Sequence, residues 1–585
     1  MISGTLRIIG FVIVLLAFLA LPVAARAQAG PEGNAHPTQQ LVSGDKEFSD
    51  PFGGHTHQVA MTPAAKLAFA ASLDLSMWEA VPVFHNGRVK VLGTLARETV
   101  SRLTGRKNYR ELPDEAGKEA AFSPLFTFFD LLIDPEYYLD KPIIGIDYLP
   151  LRRAILEAEF PQDERSIQRW LMSGRVTPSM VVNHIGPIAD RTMDKDPWSR
   201  ALNKLDNSMR LYMSGRSNLV LLAPETAALP WSHVSTLPDN APVRERLISL
   251  GSAWRNADPG TTVTAAGAVI TSLDEANVNK AVGGRPALEV IAAKVNAFEF
   301  GMWMYCLALV ALLLAVGTQR ASLRFVGATL LGVALSLHAF GFITRCLIAE
   351  RFAIQNQFES MTGVSLFAAT VGFLLMIWRK QPLFGAAAAG AGFMVLIAAT
   401  QTAIPGKTIE REAAILNTSV LLKYHVTTVL VSYGLISLGF ILSLFYLGTH
   451  YLTRRSESTL ALAGGGDASV ASGDDSPRVS RVRALADLDT AQLIVLQLAF
   501  WTLGTGVLLG AWWADHSWGR WWAWDPKETW ALVTWIIYLI VIHSRQMGLK
   551  DKGLTTAWLS IIGFIVMLWT YFGVNLLLPG LHAYA

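Results

Sequence analysis

The second half of this chain is built from long apolar runs at short intervals. From Phe300 onward eight such runs follow one another, each about the ~20 residues needed to cross the hydrocarbon core of a bilayer. The chain of 585 residues has only 16% charged residues, and its mean hydropathy is positive. That balance excludes a soluble enzyme of this size and predicts an all-α polytopic membrane protein with about eight transmembrane helices. The runs cover residues 300–317, 325–344, 361–378, 384–401, 424–447, 491–513, 530–547 and 554–578.

Basic residues lie in alternate connections between these runs. Because loops rich in Lys and Arg stay in the cytoplasm, these connections are predicted to be cytoplasmic, and the other loops and the C-terminus are predicted to lie outside. The long connection of about 456–482 is rich in Gly, Ser and Asp and predicts a disordered cytoplasmic linker. The basic residues that set this orientation are Arg320, Arg324, Arg379, Lys380, Arg454, Arg455, Arg481, Arg483, Arg545, Lys550 and Lys552.

The N-terminus has the pattern of an export signal. Arg7 precedes an apolar stretch from Ile8 to Val23, and small residues follow at Ala25 and Ala27. Residues 1–27 are therefore either a cleaved signal peptide or an uncleaved signal anchor, and both send the next segment across the membrane. The orientation that this export implies agrees with the orientation that the basic loops indicate. The chain is expected to be a multi-pass protein of the bacterial inner membrane, with its N-terminal domain and C-terminus on the periplasmic side.

The first half of the chain has a different composition. Residues 28–296 combine turn signals with amphipathic stretches and predict a large extracytoplasmic soluble region, of one or two domains, with mixed α/β character, followed by a transmembrane domain at 297–585. The cysteines are Cys306 and Cys346, and neither belongs to a Cys-x-x-Cys, which excludes a thioredoxin-like role and a c-type haem of its own. No basic block suggests a nucleic-acid partner.

Tryptophan is concentrated in one short part of the chain. Nine of the 18 Trp residues fall between Trp501 and Trp535. The segment 518–525, which we call the Trp loop, could form a shelf for a flat, apolar, anionic ligand such as haem. The alternative is an interfacial aromatic belt, because Trp gathers where membrane helices meet water. The density favours a ligand. The candidate cofactor-binding residues of the loop are Trp518, Arg520, Trp521, Trp522, Trp524 and Asp525.

The residues that follow the Trp loop predict the start of a helix. Asp525 is an N-cap acid, Pro526 would occupy the first helical position and Glu528 the third, which is the pattern of a capping box. Helix initiation alone would account for the presence of Asp525 and Glu528 at these positions. The two interpretations are compatible, since a rigid helix start would also hold the aromatic loop in place.

Three histidines are predicted to lie at the same membrane face as the Trp loop. His425 opens the fifth run, His582 follows the eighth, and His516 lies within the Trp-rich connection itself. Two neutral imidazoles on opposite sides of a haem iron form a sound axial pair, and His425 and His582 suit that arrangement. His516 is interpreted instead as a hydrogen-bonding residue of the loop.

Two further histidines lie within the apolar runs. About 17 residues at 1.5 Å each separate His543 from the helix start, which places it ~25 Å deep, towards the cytoplasmic end. It is a candidate ligand of an inner haem site, although a histidine next to Arg545 could also extend to the inner interface. His338 is a weaker metal candidate and is interpreted first as a hydrogen-bonded core residue.

The string Trp-Gly-x-x-Trp-x-Trp-Asp-Pro-Lys-Glu-Thr-Trp at 518–530 resembles the tryptophan-rich (WWD) signature of haem-handling proteins in cytochrome c assembly. Asp-Pro-Lys-Glu-Thr within it is similar to the CcsA/ResC branch, the system II cytochrome c synthetases. Asn356-x-Phe-Glu-Ser resembles that branch's Asn-x-Tyr-Glu-Ser, with Phe358 in place of Tyr. Further similar segments are Leu422-Lys-Tyr-His-Val, Gly573-Val-Asn and Gly580-Leu-His-Ala-Tyr, so the resemblance covers about 300–585.

The resemblance implies that His425 and His582 ligate haem on the outer side and His543 on the inner side. A second inner histidine would come from a CcsB/ResB-type membrane partner or from His338, because the N-terminal apolar run has none. The implied activity is that of a holocytochrome c synthase, or haem lyase, which attaches haem b to the Cys-x-x-Cys-His of apocytochrome c, either alone or with that partner. Thiol-reducing proteins are further expected partners.

Two other classes of function fit part of the pattern. A haem exporter or chaperone would use the same ligands without forming thioethers. A membrane b-type cytochrome would need paired histidines deep in the bilayer, and only His543 is clearly that deep. A proton-coupled transporter would need buried carboxylates, which the spans almost lack.

Overall fold

A computed structural model describes residues 50–54, 61–111, 120–189, 196–238, 240–401, 404, 406–410, 420–462, 477–547, 551–574 and 578. The chain divides into two compact units, Met1–Lys294 and Val295–Ala585. The predicted signal at 1–27 and His582 lie outside the described residues.

The first unit consists mainly of helices. They are α1 Pro63–Ser72, α2 Leu92–Thr104, α3 Pro124–Ile133, α4 Leu149–Glu159, α5 Glu164–Ser173, α6 Pro178–Ala189, α7 Asp196–Met213, α8 Pro242–Arg255, α9 Pro259–Asn277 and α10 Pro286–Val295. The described strands form antiparallel pairs of two to four residues each: β1 Pro82–His85 with β2 Arg88–Val91, β3 Arg110–Glu111 with β4 Ala120–Ala121, and β5 Ile144–Gly145 with β6 Arg175–Val176.

The expected α/β character of this unit is not confirmed. Asn86 and Gly87 have positive φ angles of 50° and 75°, which suit the tight turn between β1 and β2. The strand pairs stay small, and the core is formed by helices. Trp254 of α8 stacks on Phe126 of α3 with ring centroids 5.2 Å apart and meets Phe69 of α1 edge-on at 5.6 Å.

The second unit is a bundle of long helices. They are α11 Ala297–Thr318, α12 Ala321–Ala349, α13 Gln357–Arg379, α14 Pro382–Gln401, α15 Val420–Leu462, α16 Pro477–Trp518, α17 Pro526–Ser544 and α18 Lys552–Leu568, and α18 continues into a π-helical turn at Trp569–Gly573. The described residues contain seven helices long and apolar enough to cross a membrane, which makes this a multi-pass membrane protein. These spans are Pro286–Thr318, Ala321–Ala349, Gln357–Arg379, Pro382–Gln401, Leu421–Tyr451, Ala484–Trp518 and Lys552–Gly573.

The count of about eight spans is therefore confirmed for seven of the predicted runs. The run at 530–547 lies largely in α17, whose first turn contains Lys527 and Glu528, so less of its length is apolar. Helix also covers both ends of the predicted linker at 456–482, because α15 reaches Leu462 and α16 begins at Pro477.

Helices α15 and α16 pack against each other in antiparallel directions through glycines. A Cβ atom at Gly439 would lie 2.7 Å from Leu496, and a Cβ atom at Gly506 would lie 2.7 Å from Val429. The amide of buried Gln492 donates to the hydroxyl of Ser443 at 2.8 Å. Small residues let membrane helices approach closely, and this pair carries His425 on one helix and leads into the Trp loop on the other.

Candidate functional site

The Trp loop connects the end of α16 to the start of α17. Gly519 has a φ of 70°, in the left-handed region that ends helices, and its N–H donates to the carbonyl of Asp515 at 2.8 Å. The predicted capping box at the other end of the loop is confirmed. The Asp525 carboxylate accepts from the Lys527 N–H, and Glu528 Oε2 accepts from the N–H groups of Ala523 and Asp525 at 2.8 and 3.2 Å. Both ends of the loop are thus fixed.

The indole rings of this region are arranged in two edge-to-face pairs. Trp513 and Trp518 have ring centroids 4.9 Å apart, and Trp522 and Trp524 have ring centroids 5.9 Å apart. Trp521 and Trp524 remain 55% and 69% exposed. The loop therefore presents large aromatic faces instead of burying them, as a shelf for a flat ligand requires.

Two polar features of the loop fit an anionic aromatic ligand. The Nε1–H of Trp522 is buried and has no hydrogen-bond partner among the described residues, although a buried indole N–H usually finds one. The guanidinium of Arg520 lies on an exposed part of the loop. A ligand with carboxylate groups would find donors and positive charge beside the aromatic faces.

His425 is held by the helix that leads to the Trp loop. Its Nδ1 lies 2.8 Å from the carbonyl oxygen of Gly506, which can only accept, so Nδ1 carries the proton and Nε2 carries the lone pair. The ring also lies against Gly510, where a Cβ atom would approach its Cε1 to 2.5 Å. Gly510 precedes Trp518 by eight residues, or about 12 Å along α16. The histidine is thus oriented by a neighbouring helix and has the tautomer that metal ligation by Nε2 requires.

Among the described residues, His516 and His543 each form a hydrogen bond with their own helix. Nδ1 of His516 lies 3.0 Å from the carbonyl of Trp512, and Nδ1 of His543 lies 2.8 Å from the carbonyl of Leu539. Both side chains are exposed. His516 sits at the end of α16 beside the Trp loop, and His543 at the opposite end of α17. The role of His543 as an inner ligand remains a prediction.

His338 lies in the helix bundle and is fully buried. Its Nε2 donates to the carbonyl of Thr362 at 3.0 Å, and its Nδ1 accepts from the hydroxyl of Tyr305 at 3.2 Å. Both ring nitrogens are therefore engaged in hydrogen bonds between α11, α12 and α13. This geometry fits the core interpretation of His338 and does not supply a lone pair for a metal.

The Asn356–Ser360 segment begins α13 and forms a buried ionic cluster. The Asn356 side chain caps the helix by accepting from the Glu359 N–H at 2.9 Å. The carboxylate of Glu359 binds two guanidinium groups, Arg345 at 3.0 Å and Arg351 at 2.7 Å. Arg345 also donates to the carbonyls of Gly406 and Lys407. The segment therefore ties the ends of α12 and α13 to the chain that follows α14.

Other parts of the second unit have fewer side chains that could bind a metal or transfer a proton. An open groove of about 600 Å³ beside α12 is lined by Val295, Thr329, Gly332, Val333, Ser336, Leu337 and Phe340, which carry no titratable side chain. In the part of the chain that the structure describes, no three His, Cys, Asp or Glu side chains are grouped to hold a metal ion. A haem ligand set would consist of one or two imidazoles, as His425 allows.

The glycines that seat His425 were not predicted from the sequence. Gly506 and Gly510 are spaced by four residues in an apolar helix, a pattern typical of close helix contacts, and this signal could have identified α16 as the partner of His425. The positive φ of 58° at Trp524 was not predicted either, because no local sequence pattern indicates it.

Comparison with known proteins covers the second unit. Residues 295–582 match the family model described as "Cytochrome C assembly protein". The cytochrome c biogenesis protein CcsA of Parasynechococcus marenigrum is 33% identical over 302 residues, which are 50% of this chain and 96% of that protein. CcsA of Chlorella vulgaris is 30% identical over 286 residues, or 45% of this chain and 87% of that protein. Protein NrfI of Wolinella succinogenes is 31% identical over 253 residues, which are 43% of this chain and 25% of that longer protein.

Proposed function

The chain belongs to the cytochrome c assembly protein family, and from that premise we propose that it is a haem lyase that binds haem b between the Trp loop and His425. The observation that carries this proposal is the geometry of His425. Its Nδ1–H donates to the Gly506 carbonyl, so the Nε2 lone pair is directed by a neighbouring helix and not by the flexible side chain alone. His582 is the proposed second axial ligand.

The exposed indoles would support the porphyrin while the imidazoles hold its iron. Trp521 and Trp524 offer the aromatic faces, and Arg520 and the Trp522 N–H offer partners for the propionates. The loop is fixed by Gly519 at one end and by the capping box at the other. Little conformational entropy of the loop is therefore lost when a ligand binds. Asp525 contributes by holding the helix start, so its role is positional.

The reaction proposed is the addition of two thiols across two vinyl groups. Each thiol of an apocytochrome Cys-x-x-Cys-His forms one C–S bond, and its proton ends on the other vinyl carbon, so no oxidant is consumed. The thiols must be reduced beforehand, which is the proposed task of thiol-reducing partners. The protein would contribute positioning and exclusion of side reactions, while haem supplies most of the reactivity. The apocytochrome histidine would then replace one axial ligand and allow release.

The proposed location is the bacterial inner membrane, with the Trp loop and the C-terminus on the periplasmic side. The alternate basic loops support this orientation. His543 is the proposed ligand of an inner site, at the opposite end of α17 from the Trp loop. A CcsB/ResB-type partner is the proposed source of its second ligand, because His338 already uses both ring nitrogens.

The test is the absorption spectrum of haem in the purified full-length protein. His425→Ala and His582→Ala are expected to lose or shift the bound haem. His516→Ala is the matched control, since His516 is also near the loop but, among the described residues, bonds to a carbonyl of its own helix. Unchanged haem in both ligand variants would overturn the axial assignment.

A second measurement separates ligation from transport. The purified protein is incubated with ferrous haem and a reduced Cys-x-x-Cys-His peptide, and thioether formation is read by mass spectrometry. Haem that stays bound or passes to the peptide without a covalent bond would favour the haem exporter or chaperone instead.

A further inference from the structure

Helices α17 and α18 pack against each other in antiparallel directions through a row of polar side chains. At one end of the interface, the hydroxyl of Thr534 lies 2.9 Å from the hydroxyl of Thr570. At the other end, Nη1 of Arg545 lies 3.4 Å from the hydroxyl of Thr556. Residues 534, 538 and 545 share one face of α17, because they are spaced by helical repeats of 4 and 7 positions. Tyr538 therefore lies between two levels at which polar groups of the two helices contact each other.

The hydroxyl of Tyr538 has no hydrogen-bond partner among the described residues, although the side chain is fully buried. Its position is set by Gly563 of α18, where a Cβ atom would lie 2.8 Å from the phenol oxygen. The glycine thus lets the phenol reach the backbone of the neighbouring helix. A buried tyrosine hydroxyl usually has a partner, because its removal from water without one is unfavourable.

Ser560 of α18 supplies a second hydroxyl of the same kind. It is fully buried and also has no partner in the part of the chain that the structure describes. It precedes Gly563 by three residues, or about 4.5 Å along the helix. Hydroxyl side chains in helices can bond back to the carbonyl four residues earlier, and Thr556 and Thr570 of this helix region do so at 2.8 Å each. The Ser560 hydroxyl is instead available within the interface.

The two hydroxyls require a partner that is small, uncharged and able both to donate and to accept. Each hydroxyl is itself a donor and an acceptor. Ser560 follows Lys552, the first residue of a possible span, by eight residues, which places it about 12 Å deep, where an ion would be costly. A water molecule meets these conditions, because a buried water typically bonds two to four polar groups that otherwise lack partners.

We propose that Tyr538 and Ser560 bind an internal water molecule that bridges α17 and α18 in the middle of the bundle. The water replaces, at this level, the direct contact that joins Thr534 to Thr570. Because α17 begins at the Trp loop, the bridge stabilises the helix that follows the loop. The water site is independent of the proposed function, since it requires neither haem nor His425.

The first test labels side chains that have water beside them. X-ray radiolysis converts bound water into hydroxyl radicals, which modify adjacent tyrosine rings even in a protein interior, and mass spectrometry identifies the modified residues. In the purified full-length protein we expect modification of Tyr538, and we expect Ser560→Ala to reduce it to the level of Tyr305. Tyr305 is the internal control, because it is fully buried as well and its hydroxyl bonds to His338 at 3.2 Å.

Ser432→Ala is the matched control variant. Ser432 is also fully buried, but its hydroxyl donates to the carbonyl of Val429 on its own helix at 2.7 Å. Its removal is expected to leave the modification of Tyr538 at the wild-type level. If Tyr538 of the wild-type protein is modified no more than Tyr305, the water site is wrong.

The second test uses the sign of the change in melting temperature. If a water bridges the hydroxyls, Tyr538→Phe and Ser560→Ala each remove one of its partners and lower the melting temperature. The double variant then loses less than the sum of the two single changes, because both act on one bridge. If the hydroxyls have no partner at all, each substitution removes an unfavourable buried group and raises the melting temperature. Higher melting temperatures in both single variants would therefore contradict the proposal.

A direct bond between the two hydroxyls is the remaining alternative, and the two tests together separate it from a water bridge. A direct bond gives the same coupled losses of melting temperature, but it leaves no water beside the phenol. Coupled losses together with an unmodified Tyr538 would show a dry contact and overturn the water site. Coupled losses together with modification that depends on Ser560 are the result expected for the bridge.

Discussion

The two units of the chain each contain an aromatic cluster with polar groups, and the two clusters are built in opposite ways. In the first unit, Asp130 and Lys66 are fully buried and form an ion pair at 2.9 Å. The Asp130 carboxylate also accepts from Tyr138 at 2.7 Å and Trp254 at 2.8 Å. In the Trp loop, by contrast, indole faces stay exposed and the Trp522 N–H lacks a partner among the described residues.

The difference separates stability from binding. A cluster whose polar groups satisfy one another rigidifies a core and leaves no capacity for a ligand. A cluster that is fixed at both ends yet leaves polar and aromatic groups unsatisfied has that capacity. The comparison therefore favours the Trp loop, and not the buried cluster around Asp130, as the proposed ligand site.

Removal of the central carboxylate should have the largest effect on stability. Asp130→Ala leaves the buried donors of Tyr138 and Trp254 without their acceptor, at a cost of about 1–3 kcal/mol each, while Lys66 keeps its pair with Asp134 at 2.6 Å. Hydrogen exchange of the α3 amides in the full-length protein is expected to accelerate accordingly. Asp206→Ala is the control, because it breaks an exposed pair with Arg210 that is worth at most about 1 kcal/mol. Equal protection in both variants would show that the buried cluster does not hold the core.

The seat of His425 can be altered without touching the histidine. Gly510→Ala places a methyl group 2.5 Å from Cε1 of the ring, and we expect haem affinity to fall about tenfold, in line with overpacking costs of roughly 1–3 kcal/mol. Haem titration of the purified protein measures this. Gly448→Ala adds the same methyl group on α15 where nothing lies within 4 Å, and it should bind haem normally. Normal binding in Gly510→Ala would refute the proposed seat.

The strained backbone of the Trp loop is expected to lower the stability of the haem-free protein and to support haem binding. Trp524 has a φ of 58°, and a non-glycine residue there costs about 1–2 kcal/mol. Trp524→Gly is expected to raise the melting temperature of the haem-free protein and to lower its haem occupancy. Trp501 is equally exposed on α16, and Trp501→Ala should leave haem binding unchanged. A loss of haem in Trp501→Ala but not in Trp524→Gly would place the ligand elsewhere.

The smallest effect concerns a histidine of the first unit. Burial, followed by the positive charges of Lys90, Arg102 and Arg88, lowers the pKa of His85 to about 3. The unfolded chain has a value near 6.5, so the stabilising contribution is complete above about pH 6.5 and is lost as the pH falls towards 3. Between pH 7 and pH 6 we expect a loss of about 0.7 kcal/mol at the β1–β2 hairpin, measured by hydrogen exchange. His85→Phe should remove this dependence, and a variant with an unaltered pH profile would contradict the assignment.

Much of the second unit could be predicted because bilayer physics leaves few choices. Runs of about 20 apolar residues form helices, and seven of the eight predicted runs are confirmed as possible spans. The capping box at Asp525 was predictable for a similar reason, since its bonds join residues three apart in the chain. The mainly helical character of the first unit was not predictable in this way, because short stretches with turn signals fit strands and helices alike until packing decides between them.

The sequence alone determined where the helices of the second unit run, which residues start α17, and that the Trp-rich segment lies between two helices. These features depend on hydrophobicity and on bonds between near neighbours in the chain. Only the tertiary structure decided which carbonyl orients His425. It also decided that both ring nitrogens of His338 form hydrogen bonds within the bundle, and that the hydroxyl of Tyr571 bonds to the hydroxyl of Ser360. Each of those contacts joins residues 24 to 211 positions apart, and hydrogen bonds over such separations are set by helix packing, which local patterns do not encode.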